Sequence, residues 1–109
     1  MKPAWLRPLA EDDLVKAARH YAQEGGVVLG ERMFNAALAA LRQIQRMPAM
    51  GSPRLGLLCE IPGLRSWRVK GGLPGCPMKW LYIDAADHLD VVRLLGDRQD
   101  ITAILTTED

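Results

Sequence analysis

The chain has 109 residues, 49% of them hydrophobic and 25% charged, with a formal net charge of +1. That length suits one domain able to bury a modest core, and the composition excludes a disordered or collagen-like chain. No apolar run approaches the roughly 18 residues that a membrane span needs, and MKPAWLRPLAEDD turns acidic where a secretory signal would carry an apolar centre, so a single cytoplasmic domain over residues 1–109 is expected.

AWLRPLA, Ala4 to Ala10, alternates well enough for a first strand, although Pro8 lacks an amide hydrogen and suits an edge or a strand end. EDDLVKAARHYAQEGG predicts a short amphipathic helix. Its acids favour the N-terminus, Leu14, Ala17, Ala18 and Tyr21 share one face, and Gly25-Gly26 supply the stop. A longer helix follows, with Phe34, Ala37, Leu38, Leu41 and Ile44 at three- and four-residue spacing and Pro48 ending it near Met47. The two helices form an antiparallel hairpin whose apolar side needs a sheet to cover it.

The period then changes. MGSPRLG reads as a turn cluster, LLCEI as a short strand, IPGL as a turn, and RSWRVK as a strand. GGLPGCP is a loop, MKWLYIDA a strand, AADH a turn and LDVVRLLG a strand. Both of the last two strands are apolar on both faces, as central strands covered above and below would be. The tail RQDITAILTTED adds a helical turn or a strand end. The order describes an α+β domain: an N-terminal strand and an α-helical hairpin packed on a mostly antiparallel sheet of four or five strands.

Cys59 and Cys76 are too few for a disulfide scaffold and lack the CxxC spacing or histidine partners of a zinc site, so free thiols and no metal are expected. His20 falls on the first helix and His88 in a turn. Exposure or a local hydrogen bond is expected for each, with acid–base chemistry the alternative because imidazole titrates near neutral pH. Charge is divided along the chain: from Arg32 to Lys79 eight basic residues stand against one acid, Glu60. That asymmetry points to a basic surface suited to an acidic peptide, a nucleic acid or an acidic protein face, unless folding mixes the two sets.

GLRSWRVKG carries the densest cluster, with Arg65, Trp67 and Val69 on one side of the strand and Ser66, Arg68 and Lys70 on the other. With Trp67 and Val69 toward the helices, Arg65 sits at the rim of that face, its stem buried and its guanidinium wet. Arg93 lies with Val91 and Leu95 on the last strand, and Arg98 follows Gly96. Such arginines either pair with internal acids such as Asp84, Asp97 or Asp100 or are offered to a partner. Arg68 and Lys70, with no acid nearby in sequence, point to partner contact. Tyr82 is the acid–base candidate on the sheet, and its aliphatic neighbours favour core packing with the hydroxyl at an edge.

Taken in order, AEDDLVKAARHYA, LRQIQRMPAMGSPR, PGLRSWRV, WLY and RLLGDRQDI resemble the ParE toxins of the RelE/ParE superfamily, the toxin halves of bacterial type II toxin–antitoxin pairs. Each piece is short and degenerate; five in the right order at the right spacing are specific. Three features depart from the family: Ile83 follows Tyr82 where an arginine is frequent, Gly96 stands where a histidine is frequent, and GGLPGCP is longer than usual.

The resemblance implies a RelE/ParE-like fold, a role of the plasmid-stabilising kind, and two competing mechanisms. ParE-like members poison DNA gyrase through a binding surface, with no catalytic residue, no cofactor and no direct nucleic-acid binding expected. RelE-like members cut mRNA on the ribosome, for which Tyr82, Arg93 and Arg98 would be the candidates. RelE-like enzymes commonly carry a tyrosine, histidine or lysine near the C-terminus, whereas ITAILTTED has none, which favours the gyrase reading. A non-toxic antitoxin-binding domain is the third possibility. The expected partner is a ParD-like antitoxin with an acidic C-terminal segment, forming a hetero-oligomer with no membrane involved. Arg65, Trp67, Arg68, Lys70, Trp80, Arg93 and Arg98 are the expected contacts to antitoxin or target.

Overall fold

The computed structural model of the chain describes residues 1–71, 77–97 and 99–107. GGLPGCP, Cys76 and Arg98 therefore fall wholly or largely outside the described residues. The elements run β1 (Ala4–Leu6), α1 (Pro8–Gly25), α2 (Val27–Arg46), a 3-10 turn (Pro48–Met50), α3 (Arg54–Leu58), β2 (Leu64–Arg68), β3 (Met78–Asp84), β4 (Leu89–Gly96) and α4 (Ile101–Thr107). The four strands form one sheet in the order β1-β4-β3-β2. β1 runs parallel to β4, and the other pairs are antiparallel. The α+β architecture expected from the sequence is the one observed, with β3 and β4 in the centre.

The first strand is shorter than expected because Pro8 opens α1. Its fixed φ and missing N–H suit a first helical turn, where no amide partner is required. At the other end Gly26 takes a φ of 95°, which a residue with a side chain would resist, and the hairpin turns there. Gly30 lets the helices approach: a Cβ there would meet the Ala18 carbonyl and the Ala22 methyl at 2.8 Å.

The hairpin buries Leu14 and Tyr21 from α1, and Met33, Ala37, Ala40, Leu41 and Ile44 from α2, against Trp80, Tyr82, Leu89, Val91 and Leu94 of the sheet. Phe34, expected on that stripe, is 37% exposed. Met33 takes the inward position instead, and Phe34 turns toward Ala18, Ala22 and Val27 on the outer groove of the hairpin.

LLCEI does not form a strand. Pro53 precedes a short helix, α3, in which Leu55 and Cys59, four residues apart, pack inward while Leu57 and Leu58 point out. Gly56 permits this, since a Cβ would lie 2.5 Å from the Leu64 carbonyl oxygen. The place a strand would take beside β2 is held by Ser52, which exchanges two main-chain hydrogen bonds of 2.9 Å with Ser66. Together α3 and α4 cover the sheet face opposite the hairpin, with Leu105 of α4 in one cluster with Leu64, Leu81, Val92 and Leu95 of the sheet. The tail therefore forms a helix, started by Asp100, whose carboxylate accepts the Ala103 N–H at 3.1 Å.

Candidate functional site

A bulge in β4 changes the face that Arg93 takes relative to Val91. Leu81 pairs with Arg93 but Tyr82 pairs with Val91, so Val92 is an extra residue. The two-residue alternation breaks there: Val91 and Leu94 face the hairpin, while Val92 and Leu95 face α3 and α4. Arg93, opposite Leu81, thus keeps the side of Leu95, opposite Lys79, and parts from that of Val91. It donates from Nε and Nη2 to the two carboxylate oxygens of Asp13 on α1, at 2.6 and 2.9 Å. Asp13 also accepts the Leu94 N–H at 3.0 Å. Both side chains are largely buried, and the Asp13 hydrogen bond holds the Arg93 pKa above its ordinary value. Asp84, Asp97 and Asp100 were the acids considered from sequence; α1 supplies the partner, across 80 positions.

Trp80, expected as a contact to antitoxin or target, is fully buried and its indole N–H donates to the Ala37 carbonyl at 2.9 Å. It has no face to offer a partner, because α2 lies on top of it. Tyr82 is also fully buried. Its hydroxyl donates to the Pro48 carbonyl at 2.6 Å and accepts the Gly51 N–H at 3.0 Å. Burial raises its pKa, since the phenolate would be poorly solvated there. Tyr82 therefore ties the sheet to the turn after α2, while Arg93 reaches the opposite way to α1.

The remaining expected residues gather at the β2 edge. Arg65 donates to the Ala49 and Gly51 carbonyls at 3.2 and 2.7 Å and has no carboxylate partner among the described residues. The Trp67 indole N–H donates to Gln43 Oε1 of α2 at 2.9 Å, and the Lys70 ammonium lies 5.3 Å from the Trp67 ring centroid. Arg68 is largely exposed and lies 3.7 Å from Asp97, whose closer partner is Lys79 at 3.1 Å. Arg42, Arg46 and Arg54 have no carboxylate partner among the described residues. Gln43 was not singled out from sequence, Lys79 only closed the basic stretch, and Asp97 was considered only as a partner for an arginine; long-range register brings the three to this edge.

The opposite edge is electrostatically closed. Lys2 pairs with Asp84 at 2.5 Å, Arg7 with Asp90 at 2.7 Å and Lys16 with Asp12 at 2.7 Å. The Arg7 hydrogen bond lowers the Asp90 pKa and raises that of Arg7. His88 stacks on exposed Trp5 with ring centroids 3.8 Å apart, and its Nδ1 lies 2.7 Å from Asp87. His20 is exposed on α1, its ring edge-on to Tyr21. Among the described residues no group of three or more His, Cys, Asp or Glu could hold a metal ion, and no helix is long and apolar enough to cross a membrane. Cys59 is a half-buried free thiol.

An antiparallel sheet core with an N-terminal helical hairpin on one face and a cationic edge defines a small α+β domain of the RelE/ParE-like kind. The profile of the ParE toxin of type II toxin–antitoxin systems, parDE, matches residues 6–106, and the chain belongs to that family. Among solved structures, one described as the chromosomal ParDE TA system from P. aeruginosa is similar in fold, with a TM-score of 0.68 at 17% identity over 88% of this chain and 96% of that one. No curated protein sequence matches the chain.

Proposed function

We propose that this toxin acts by binding DNA gyrase and trapping it, without catalysis of its own, and that a ParD-like antitoxin neutralises it in the cytoplasm. The observation that carries this reading is the commitment of Tyr82. A general acid or base must reach the proton it moves, and this hydroxyl is buried between Pro48 and Gly51 with both of its bonds satisfied inside the fold. Arg93, the second candidate for ribonuclease chemistry, is already engaged by Asp13. The β2-edge cations, in contrast, are placed to meet an acidic protein surface.

The test is a pair of assays on one purified sample: gyrase supercoiling with trapping of the cleavage complex, and cleavage of mRNA on programmed ribosomes. Inhibited gyrase with intact mRNA is the expected result. Cut mRNA with unaffected gyrase would overturn the proposal and assign the RelE-like activity. Normal growth on expression without antitoxin, with neither assay positive, would leave only an antitoxin-binding domain.

A further inference from the structure

The outer side of the hairpin carries a groove of about 470 Å³ between α1 and α2, lined by Ala18, Ala22, Val27, Gly30 and Phe34, with one charged residue from each helix, Arg19 and Glu31. Val27 is 70% exposed and Val28 79%. Val15, one turn before Arg19 on the same face of α1, is also half in water. Apolar side chains gathered on the outer face of a hairpin whose inner face is already covered mark a surface that gains from being buried. Arg19 and Glu31 have no ion-pair partner among the described residues, and they do not pair with each other across the groove.

We infer that this groove is the contact face for a second copy of the same chain, the two hairpins closing into a four-helix bundle about a two-fold axis that runs along the groove. The inference does not depend on the gyrase reading. Such an axis exchanges the two banks, so α1 of each copy lies over α2 of the other. Because the helices of one hairpin are antiparallel, every helix then has antiparallel neighbours, the up-and-down order of four-helix bundles. Register agrees with that axis. Gly30 sits against Ala18 and Ala22, where a Cβ would meet both at 2.8 Å. Stepping along the antiparallel pair from there brings Glu31 level with Arg19, and Phe34 close to the level of Val15. The two-fold therefore sets Arg19 of each copy against Glu31 of the other, and Phe34 of each beside Val15 of the other.

Charge selects the occupant. One cation facing one anion at equal height is complementary to itself, whereas an acidic segment or a phosphate chain would meet Glu31 and a basic segment would meet Arg19. Size fits a reversible contact. The 18 residues of α1 make it roughly 27 Å long at about 1.5 Å per residue, and two packed helices are roughly 20 Å wide. The contact then covers roughly 500 Å² of each copy and about 1,000 Å² in all, the lower bound for a specific interface. Association in the micromolar range follows. The sheet packs on the other side of the hairpin, so the β2 edge of both copies stays open.

Sedimentation equilibrium of the full chain from about 1 to about 500 µM tests this, and the wild type should pass from monomer to dimer within that range. Arg19→Glu and Glu31→Arg should each raise the dimer Kd at least about tenfold, since two-fold symmetry turns two attractions into two repulsions. Combining them reverses both signs and should bring Kd back to within about threefold of the parent. Val27→Asp, on the groove, should weaken the dimer at least about tenfold. Leu58→Asp, on α3 and outside the hairpin, should stay within about twofold. Melting curves of all variants should overlay the parent, since the changed side chains are exposed. A wild type that stays monomeric at about 500 µM would overturn the inference. Single charge changes without effect, or a double change that fails to restore the dimer, would move the contact to another face and overturn it as well. A monomeric toxin whose antitoxin binding is lost in Val27→Asp would give the groove to the antitoxin and overturn the second-copy assignment.

Discussion

Replacing Tyr82 by phenylalanine separates a structural hydroxyl from a chemical one. The phenol is fully buried, and its oxygen holds the Pro48 carbonyl at 2.6 Å and the Gly51 N–H at 3.0 Å. Phenylalanine keeps the ring and removes both bonds, leaving a main-chain acceptor and a main-chain donor without their partner. At about 1–1.5 kcal/mol for each, the loss is about 2–3 kcal/mol. A domain near this length loses about 4–8 °C per kcal/mol, so Tm should fall by roughly 10–20 °C.

Urea unfolding and calorimetry measure that loss, while the gyrase assay at a temperature where the variant remains folded should show inhibition retained. The pH dependence gives a second check. Burial raises the Tyr82 pKa, so above about pH 10 the unfolded chain loses this proton while the folded one retains it. Stability must therefore fall as pH rises from there toward the folded pKa, and Tyr82→Phe should remove that part of the decline. A destabilisation below about 0.5 kcal/mol would show that the hydroxyl does not tie the turn to the sheet, because two lost bonds should exceed it. Lost activity at full stability would instead make it a reacting group.

The Arg93–Asp13 pair should prove coupled: Asp13→Ala costs about 3 kcal/mol, as expected when a largely buried pair loses one member. In a double-mutant cycle with Arg93→Ala, a coupling below about 0.5 kcal/mol would contradict the bidentate geometry. For Asp90, whose pKa is lowered by Arg7, the stabilisation is present above the ordinary carboxylate pKa and disappears as pH falls through the folded value. Arg7→Met should flatten the acid limb of stability against pH by less than about 1 kcal/mol, because the pair is partly exposed. Gly51→Ala drives a Cβ into the Tyr82 hydroxyl and ring and should cost about 1–3 kcal/mol. Combined with Tyr82→Phe it should cost less than the two changes added, since the oxygen it strikes is gone, and strict additivity of urea midpoints would refute the close contact.

Much of the fold was legible because its signals are local. Gly25-Gly26 ended one helix, Pro48 ended the next, and doubly apolar strands announced a covered centre. The misreadings arose where a local pattern met a tertiary constraint. LLCEI has strand-like composition, but Ser52 already pairs with Ser66 beside β2, and the segment instead closes a short helix that packs Leu55 and Cys59, four residues apart, inward. Phe34 and Met33 are adjacent and both apolar, and it is Met33 that the fold buries while Phe34 lies on the outer groove of the hairpin. Trp80 looked available because aromatic residues serve interfaces and cores alike; the helix above it decided for the core.

The sequence alone determined the class of fold and the cationic character of the central segment, because periodicity, turn residues and charge are properties of neighbours along the chain, and the order of its motifs carried the resemblance to the family. Only the tertiary structure decided which charges remain for a partner. Arg93 and Arg68 are equally cationic in the sequence, yet one is gripped at two points by Asp13 on α1, while the other stays at an edge with Asp97 held mainly by Lys79. Pairing of charges is a matter of distance in space, and the acid that meets Arg93 lies 80 residues away along the chain.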